Sequence, residues 1–264
     1  MKKIISTLAV LAFTGILIIS CEEDDATPVN QEQSCLPDNL QNGLIASYTF
    51  AGGSLQDGTG SAHLTASSAQ PAADRQGNLD CAYSFAGSGN SYLISQDTGF
   101  LNNLTTLSVS FWYQPQGNQV DYELLLGRGE GMHCPDSYGE WSVGLYDCRR
   151  AVFGHGNSVW DDMITDMSEG CAGEEDARTN VWHHVTVTCV KATNEIKIYH
   201  NGILQDSATG MADCGMGGTP TVDDIGNLMI GKYFSGKIDD IVIYNRVLTQ
   251  AEISQLHQLA PCCE

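Results

Sequence analysis

The stretch WHHVTVTCVKATNEIKIYHNGILQD (residues 182–206) decides the fold class. Two runs rich in β-branched and aromatic residues, 182–190 and 195–200, are separated by the turn at Lys191–Asn194, which is the pattern of a β-hairpin. Asn201-Gly202 follows directly and is a strong signal for a two-residue turn. Because Ile203–Asp206 can pair back after that turn, the stretch predicts three consecutive antiparallel strands.

Further extended runs lie on both sides of this stretch. In Leu107–Gln114 the large apolar side chains alternate with Ser108, Ser110 and Trp112, which predicts a strand with one face in the core. Other short runs cover residues 44–50, 82–85, 92–94, 123–126, 140–146, 151–153, 228–231 and 236–244. Such a series of short strands indicates an all-β sandwich or barrel.

One helix is predicted near the end of the chain. Thr249 can cap it, and Glu252 three residues later completes a capping box. Ile253, Leu256 and Leu259 then fall on one face, so we expect a short helix packed against the end of the β structure.

The composition bounds the partners and the compartment. Asp and Glu number 32 against 12 Lys and Arg, a formal net charge of −20 that repels phosphate backbones and argues against a nucleic-acid partner. Ten cysteines in 264 residues point to an oxidising compartment.

The first residues are typical of exported proteins. MKKIISTLAVLAFTGILIIS (residues 1–20) has a basic start and an apolar segment, as a secretory signal peptide has. Its end, LIISC, resembles a bacterial lipobox, which implies that Cys21 carries the lipid; the alternative is an ordinary signal peptide with a chance cysteine. The acidic run Glu22–Asp25 resembles the surface-export signal of Bacteroidetes lipoproteins, but a solvated tether explains it equally well. We expect a flexible tether over residues 21–42 and an outer-membrane lipoprotein whose only membrane contact is its lipid.

The rest of the chain, residues 43–264, resembles a laminin-G-like domain of the concanavalin A-like lectin/glucanase superfamily. The resemblance rests on GLIASYTFAGGSLQDGTGSAHLTA (43–66), AYSFAGSGNSYL (82–93), WHHVTVT (182–188), IYHNG (198–202) and GKIDDIVIYNRVLTQAEI (236–253). It implies an antiparallel two-sheet jelly-roll sandwich with one short C-terminal helix. The family includes binding modules, adhesins and domains attached to carbohydrate-active enzymes, so membership alone leaves the function open.

Three aspartates are candidate metal ligands. Asp239 and Asp240 are neighbours in the last predicted strand, so their side chains are expected on opposite faces, and a buried carboxylate there needs a partner. The resemblance implies a structural Ca²⁺ site near this strand, with Asp239 as the favoured ligand and Asp57 and Asp240 as further candidates. The alternative is that Asp57 forms only an Asx turn and Asp239 accepts backbone N–H bonds.

Nine cysteines remain after Cys21, an odd number, so at least one is unpaired or joins another chain. Cys189 lies in the middle of a predicted strand and is the candidate free thiol. The first and last strands of a jelly roll are commonly close, which favours a bridge from Cys35 to Cys262 or Cys263. The other favoured pairs are Cys134 with Cys148 and Cys171 with Cys214.

Aromatic residues with charged neighbours are the candidate ligand-binding residues, because ring faces stack on sugar C–H groups while hydroxyls find polar partners. They are Trp160, Asp161, Trp141 and Arg149. Trp160 lies beside Asp161 in a predicted loop, whereas Trp141 lies in an alternating run that suits the core equally well.

Catalytic motifs are missing from the sequence. It contains no Gly-x-Ser-x-Gly elbow and no Glu-x-Asp-x-Glu run of paired carboxylates. His183 and His184 adjoin on a strand and face opposite sides, so they cannot bind one ion together. We therefore expect a non-catalytic, lipid-anchored envelope module that binds glycan or a surface protein. The alternatives are a structural or adhesive surface protein without a small-ligand site, and a glycan-degrading enzyme with unrecognised carboxylates.

Overall fold

A computed structural model describes residues 35–60, 62–97, 99–118, 122–133, 136–146, 148–155, 159–161, 178–193, 195–209 and 226–263. These residues form fifteen strands and one α-helix. The strands are β1 (Leu44–Tyr48), β2 (Thr65–Ser67), β3 (Gln70–Ala72), β4 (Ala82–Ala86), β5 (Tyr92–Ser95), β6 (Thr106–Pro115), β7 (Tyr122–His133), β8 (Asp136–Tyr146), β9 (Arg150–His155), β10 (Val159–Asp161), β11 (His183–Val190), β12 (Glu195–His200), β13 (Ile203–Ala208), β14 (Leu228–Ile230) and β15 (Ser235–Tyr244). The helix is α1 (Gln250–Gln258).

The strands form two sheets. Sheet A has eight strands in the order β13-β12-β11-β6-β15-β4-β3, with β1 also paired to β15. Sheet B has seven strands in the order β10-β9-β8-β7-β14-β5-β2. The ladders between these strands are antiparallel. The predicted antiparallel two-sheet sandwich with one short C-terminal helix is confirmed.

The core lies between the inner faces of the sheets, and the alternation in β6 shows how the sequence builds it. Leu107, Val109, Phe111 and Tyr113 all belong to the main hydrophobic cluster and are at most 2% exposed. The intervening Ser108 and Ser110 are also buried, on the opposite face of sheet A. Strand β6 is therefore covered on both sides, because Arg246, Leu248 and α1 contact its outer face.

The stretch quoted first folds as predicted. Strand β11 pairs with β12 in register from Val185 opposite His200 to Val190 opposite Glu195, and β12 pairs with β13. Asn201 and Gly202 have φ angles of +50° and +78°, the left-handed conformations of the tight turn that suits a hairpin.

The predicted capping box starts α1. The Thr249 side chain accepts a hydrogen bond from Glu252 N, and the Glu252 side chain accepts one from Thr249 N. Ile253 and Leu256 are buried against an outer cluster on sheet A that includes Tyr244 and Leu248. In the described part of the chain no helix is long and apolar enough to cross a membrane.

The tether is shorter than expected at its C-terminal end, because residues 35–42 pack against the domain. Leu40 is fully buried in the cluster beneath α1, and its carbonyl accepts a 2.8 Å hydrogen bond from Tyr244 Oη. Arg246 Nε also donates to Asn42 O at 2.6 Å. Leu36 and Leu40 are the apolar residues that distinguish this segment from a solvated linker. The predicted signal peptide, Cys21 and the rest of the tether lie outside the described residues.

Two disulfides join Cys262 and Cys263 to earlier parts of the described chain. Cys35 is joined to Cys262. This is one of the two alternatives that the sequence left open for Cys35. Cys81 is joined to Cys263. Cys189 is a buried free thiol. Cys148 is also disulfide-bonded, whereas Cys134, Cys171 and Cys214 lie outside the described residues. These bridges are typical of a protein that folds in an oxidising compartment.

Three short strands were not predicted. β2 and β3 are rich in Ser, Gln and Ala, and β3 contains Pro71 at the edge of sheet A, where its missing N–H costs no ladder bond. β10 pairs with β9 at the edge of sheet B, within a segment predicted as a long loop.

Candidate functional site

Two tyrosines and a lysine meet on sheet B, and we call Tyr92, Lys232 and Tyr233 the tyrosine site. Tyr92 lies in β5, and Lys232 and Tyr233 lie in the turn between β14 and β15. Lys232 Nζ is 6.0 Å from the Tyr92 ring centre and 5.4 Å from the Tyr233 ring centre, within the range of a cation–π contact. The ammonium group therefore lies close to both rings.

Tyr233 is held in an unusual backbone conformation. Its φ is +64°, a left-handed value that is strained for a bulky aromatic residue. Tyr233 N donates to Ser88 O at 3.3 Å, and a Cβ placed on Gly89 would come within 2.9 Å of the Tyr233 ring. Only glycine at position 89 allows the ring to lie so close to the 87–90 turn. The side chain is nevertheless 42% exposed. Strain of this kind at an exposed aromatic residue is a feature of binding sites.

The outer face of sheet B supports the site from one side. Tyr92 and Ile94 pack against a small cluster formed by Tyr122, Leu124, Val152 and Met229, on the face opposite the core. Leu93, the intervening residue of β5, belongs to the main core. Tyr92 is therefore oriented by the alternation of its own strand.

Close packing makes this outer face rigid. A Cβ at Gly144 would lie 2.3 Å from the Tyr122 ring, so that ring rests directly on the backbone of β8. The Tyr122 hydroxyl and the Ser142 hydroxyl are 2.9 Å apart and share a hydrogen bond. A rigid support lets the tyrosine site present its rings with little loss of conformational entropy on binding.

Two of the sequence-predicted ligand residues are corrected by the structure. Trp141 is fully buried in the main core, because the alternation of β8 turns it inward, so it cannot stack on a ligand. Arg149 is 1% exposed and pairs with the fully buried Glu123 at 3.3 Å. It also donates to Gln116 O and Thr179 Oγ1. Arg149 therefore links buried segments and is not available to a ligand.

Trp160 and Asp161 lie in β10 rather than in a loop. Their Cα partners in β9 are Gly154 and Phe153. Their backbone thus forms the edge of sheet B, while their side chains lie outside the described part of the chain, so their predicted role in binding stays a prediction.

Asp57 does not fit a calcium site. Its Oδ1 accepts bonds from Ser47 N, Thr59 N and Thr59 Oγ1 at 2.9–3.0 Å, and its Oδ2 lies 3.4 Å from Ala62 N. These donors occupy the lone pairs that a cation would need. Asp57 therefore acts as an Asx-turn acceptor, the alternative that the sequence left open.

Asp239 and Asp240 are already bound to a cation of the chain. Arg75 Nη1 donates to Asp239 Oδ2 at 3.1 Å and to Asp240 Oδ2 at 2.7 Å. Burial raises the pKa of Asp239, and the neighbouring Asp240 raises it further, while Arg75 opposes both effects. The expectation that the two side chains point to opposite faces is wrong, because both carboxylates reach one guanidinium. With Arg75 in place, the residues do not fit a Ca²⁺ ion.

One other group of potential ligand atoms, Asp74, Cys81 and Cys263, lies within 4.8 Å of one another in the described residues. The two sulfur atoms are bonded to each other, so they offer no thiolates to a metal. Asp74 accepts bonds from Gln76 N, Asn78 N and Asn78 Nδ2 at 2.8–3.0 Å. This group stabilises the start of β4 and is not suited to a metal ion.

The two histidines of the adjoining pair have different partners. His183 Nδ1 lies 3.0 Å from His200 Nε2, and His183 Nε2 lies 2.9 Å from Arg178 O. His184 Nε2 lies 2.9 Å from Ser110 Oγ, and the His184 ring lies 5.1 Å from the Trp112 ring. The two rings therefore have separate partners, and burial lowers the pKa of both imidazoles.

The two antiparallel sheets define a β-sandwich of the jelly-roll type. The chain belongs to the concanavalin A-like lectin/glucanases superfamily, because the model of its Laminin_G_3 family matches residues 87–254. None of the curated proteins compared matches the chain.

Solved structures share the fold at low sequence identity. The binding domain of Paraclostridial Mosquitocidal Protein 1 is 19% identical, with a TM-score of 0.60 over 83% of this chain and 52% of that chain. Domain 4 of AbnA, a GH43 extracellular arabinanase from Geobacillus stearothermophilus solved with arabinotriose, is 21% identical, with a TM-score of 0.56 over 81% of this chain and 98% of that domain. The receptor binding domain of botulinum neurotoxin C/D mosaic serotype is 17% identical, with a TM-score of 0.57 over 82% of this chain and 51% of that chain. The chain thus spans about half the length of the two toxin chains.

Sequence reasoning missed the tyrosine site. The available signal was Tyr92, which precedes Leu93 in an alternating run and so belongs to the outer face. Lys232 and Tyr233 carry no signal of their own, because their position depends on the contact between two turns that are distant in sequence.

Proposed function

We propose that this protein is a non-catalytic, extracytoplasmic module that binds a saccharide through the tyrosine site. The observation that carries the proposal is Tyr233, an aromatic residue that is 42% exposed, has a φ of +64° and packs on Gly89. A strained backbone conformation at an exposed aromatic residue motivates a hypothesis of function at that residue.

The chemistry of the site suits a sugar. Tyrosine rings offer apolar faces to sugar C–H groups and hydroxyl groups at their edges. Ser88 and Asn90 are exposed in the adjoining turn, where their side chains can bond sugar hydroxyls. An aromatic surface with a few polar groups beside it is the usual composition of a small-molecule site.

The buried carboxylates among the described residues support a binding role over a catalytic one. Hydrolysis of a glycosidic bond requires two carboxyl groups facing the same open groove. Among the described residues, Asp57, Asp74, Glu123 and Asp239 are buried and bound to N–H groups or to arginine. Such carboxylates are not positioned to act on a bound saccharide.

The similar structures support the proposal in general terms. One is a domain solved in complex with arabinotriose, and others are receptor or binding domains of toxins. Fold similarity at this level of identity does not transfer a ligand, so the proposal for this chain rests on its own tyrosines.

We further propose that Cys21 carries a lipid that holds the module on the outer membrane. The signal-like residues 1–20 and the disulfides support export. In an expressing bacterium, metabolic labelling with a palmitate analogue is expected to mark the wild type but not Cys21→Ala. Labelling that survives the substitution would remove the anchor from the proposal.

A glycan array tests the binding role. We expect wild-type protein to bind a defined subset of glycans, and Tyr233→Ala and Tyr92→Ala to lose that binding. Leu204→Ala is the matched control, because Leu204 is equally exposed on sheet A and should bind as the wild type does. A Trp160→Ala arm separately tests the sequence-based prediction for β10. A silent array, or equal binding by wild type and Tyr233→Ala, would contradict the proposal.

A second candidate function is adhesion through the edge of sheet A. Strand β13 is an edge strand on which Ile203 is 65% and Leu204 is 42% exposed, and edge strands can pair with a strand of another protein. If adhesion is the function, Ile203→Lys should abolish attachment of cells to a partner surface, while Tyr233→Ala should leave it unchanged.

A further inference from the structure

Arg75 lies between two of the aspartates that the sequence resemblance marked as candidate calcium ligands, Asp239 and Asp240. Its Nη1 atom is 3.1 Å from Asp239 Oδ2 and 2.7 Å from Asp240 Oδ2. Its Nη2 atom donates to Leu259 O at 2.9 Å. Two carboxylate oxygens and one carbonyl oxygen thus converge on a single positive group. Oxygen atoms of these two kinds are the ligands that Ca²⁺ prefers.

The backbone of β15 is distorted so that this convergence can occur. The register between β15 and β6 shifts between Asp239 and Val242, and Asp240 has a φ of +47°. In a regular strand two consecutive side chains point to opposite faces. The irregularity turns Asp240 toward the same cation as Asp239, and a bulge that redirects a side chain commonly marks a site that needs it.

Arg75 is also fixed by its other neighbours. Its guanidinium lies 4.6 Å from the centre of the Trp112 ring, and its side chain is 9% exposed. Asp239 is completely buried, so its charge requires compensation from within the protein.

We infer that Arg75 is a built-in replacement for a divalent cation, so that this protein needs no calcium to fold. Replacing Arg75 by a shorter residue exposes a site for a hard cation such as Ca²⁺. Asp239, Asp240 and the carbonyl of Leu259 form this site. The calcium site that the family resemblance implies is thus replaced in this chain by a side chain that comes from the loop before β4.

The surroundings have room for a hydrated ion once the guanidinium is gone. A cavity of about 40 Å³ adjoins Arg75 and Asp240 and is also lined by Ser47 and Thr49, a volume sufficient for a few water molecules. Calcium completes a coordination shell of six to eight oxygens with water when protein ligands are few. The three protein oxygens, with water from this cavity, meet that need.

Thermal unfolding with and without calcium tests the inference. Wild-type Tm should be the same in EDTA and in CaCl2, with NaCl matching the ionic strength. In EDTA, Arg75→Ala should have a lower Tm than the wild type. In CaCl2, the variant should recover part of this loss in Tm. With an affinity typical of extracellular calcium modules, about 10 mM CaCl2 should raise the Tm of the variant by roughly 3–8 °C.

Arg246→Ala is the matched control. Arg246 also pairs with a carboxylate, that of Glu252, at 2.7 Å, but it serves one carboxylate rather than two. Its removal should lower Tm without creating a response to calcium, as should Arg75→Ala combined with Asp240→Asn.

Two results would overturn the inference. A fall in wild-type Tm on addition of EDTA would show that the native protein holds a divalent cation. No calcium-dependent rise in Arg75→Ala would show that the carboxylates do not form a cation site. If Arg75→Ala does not fold in either buffer, Arg75→Gln, which keeps a hydrogen-bond donor without the charge, is measured in its place and is judged by the same calcium response.

Discussion

Mild acid should destabilise this protein, because several histidines are kept neutral in the fold. Burial is the largest cause at each: it lowers the pKa of His184 from 6.5 to about 3, and those of His155 and His200 to about 4. Neighbouring cations add to the effect, Lys191 at His155 and Arg75 at His184. In the unfolded chain all three would titrate near 6.5.

The sign and size of the effect follow from proton linkage. Between pH 6.5 and pH 4 the unfolded state binds more protons than the native state, so the free energy of unfolding falls as pH falls. From pH 7 to pH 5 each histidine costs about 1–2 kcal/mol. Asp239 acts in the opposite direction, because its raised pKa lets the native state take up a proton at a higher pH than the unfolded chain does. Asp240, whose pKa is also raised by burial, acts with Asp239, whereas His183 and His257, whose pKa values are also lowered by burial, act with the three histidines. The histidines outweigh the aspartates, and the net loss is about 2–4 kcal/mol.

Calorimetry over a pH series measures this effect. For a chain of this size a loss of about 2–4 kcal/mol corresponds to a fall in Tm of roughly 5–15 °C between pH 7 and pH 5. His200→Gln should unfold at a lower temperature at pH 7 but show a shallower dependence on pH, because one titrating group is removed. A Tm that stays constant or rises between pH 7 and pH 5 would refute the reasoning.

Three further substitutions test the packing of the sandwich. Arg149→Met should lower the free energy of unfolding in urea by about 3–5 kcal/mol, since it removes the arginine that pairs with the buried Glu123, and the double variant with Glu123→Leu should recover much of that loss. Gly144→Ala should cost about 1–3 kcal/mol by forcing the Tyr122 ring off β8, and no such cost should appear in a Tyr122→Ala background. Cys262→Ser should cost about 2–4 kcal/mol because its bridge closes a long loop, and a reductant should lower the stability of the variant by less than that of the wild type, since the variant no longer has this bridge to lose while it keeps Cys81–Cys263.

The fold could be predicted where local signals agree with tertiary structure. Alternation in Leu107–Gln114, the Asn201-Gly202 turn and the capping box at Thr249 each act within a few residues. They predicted β6, the β12–β13 turn and α1 at nearly the observed positions. The short strands β2, β3 and β10 were missed because three residues are too few to show a period.

The site could be predicted only in part, because its residues are brought together by long-range contacts. Trp141 is an aromatic residue with charged neighbours, as an exposed ligand-binding residue would also be. Only the face of β8 on which its side chain lies places it in the core. The opposite-face argument for Asp239 and Asp240 holds for regular strands and fails where β15 is irregular. Arg75, which is more than 160 residues from both, could not be linked to them from sequence.

A titration of the best-bound array glycan tests the central claim most directly, with wild-type protein, Tyr233→Phe and Tyr233→Ala compared by calorimetry. The account predicts that Tyr233→Phe, which keeps the ring face, binds within about threefold of the wild type, whereas Tyr233→Ala binds at least about tenfold more weakly. Equal affinities for all three proteins, at equal Tm, would show that sugar recognition does not occur at the tyrosine site.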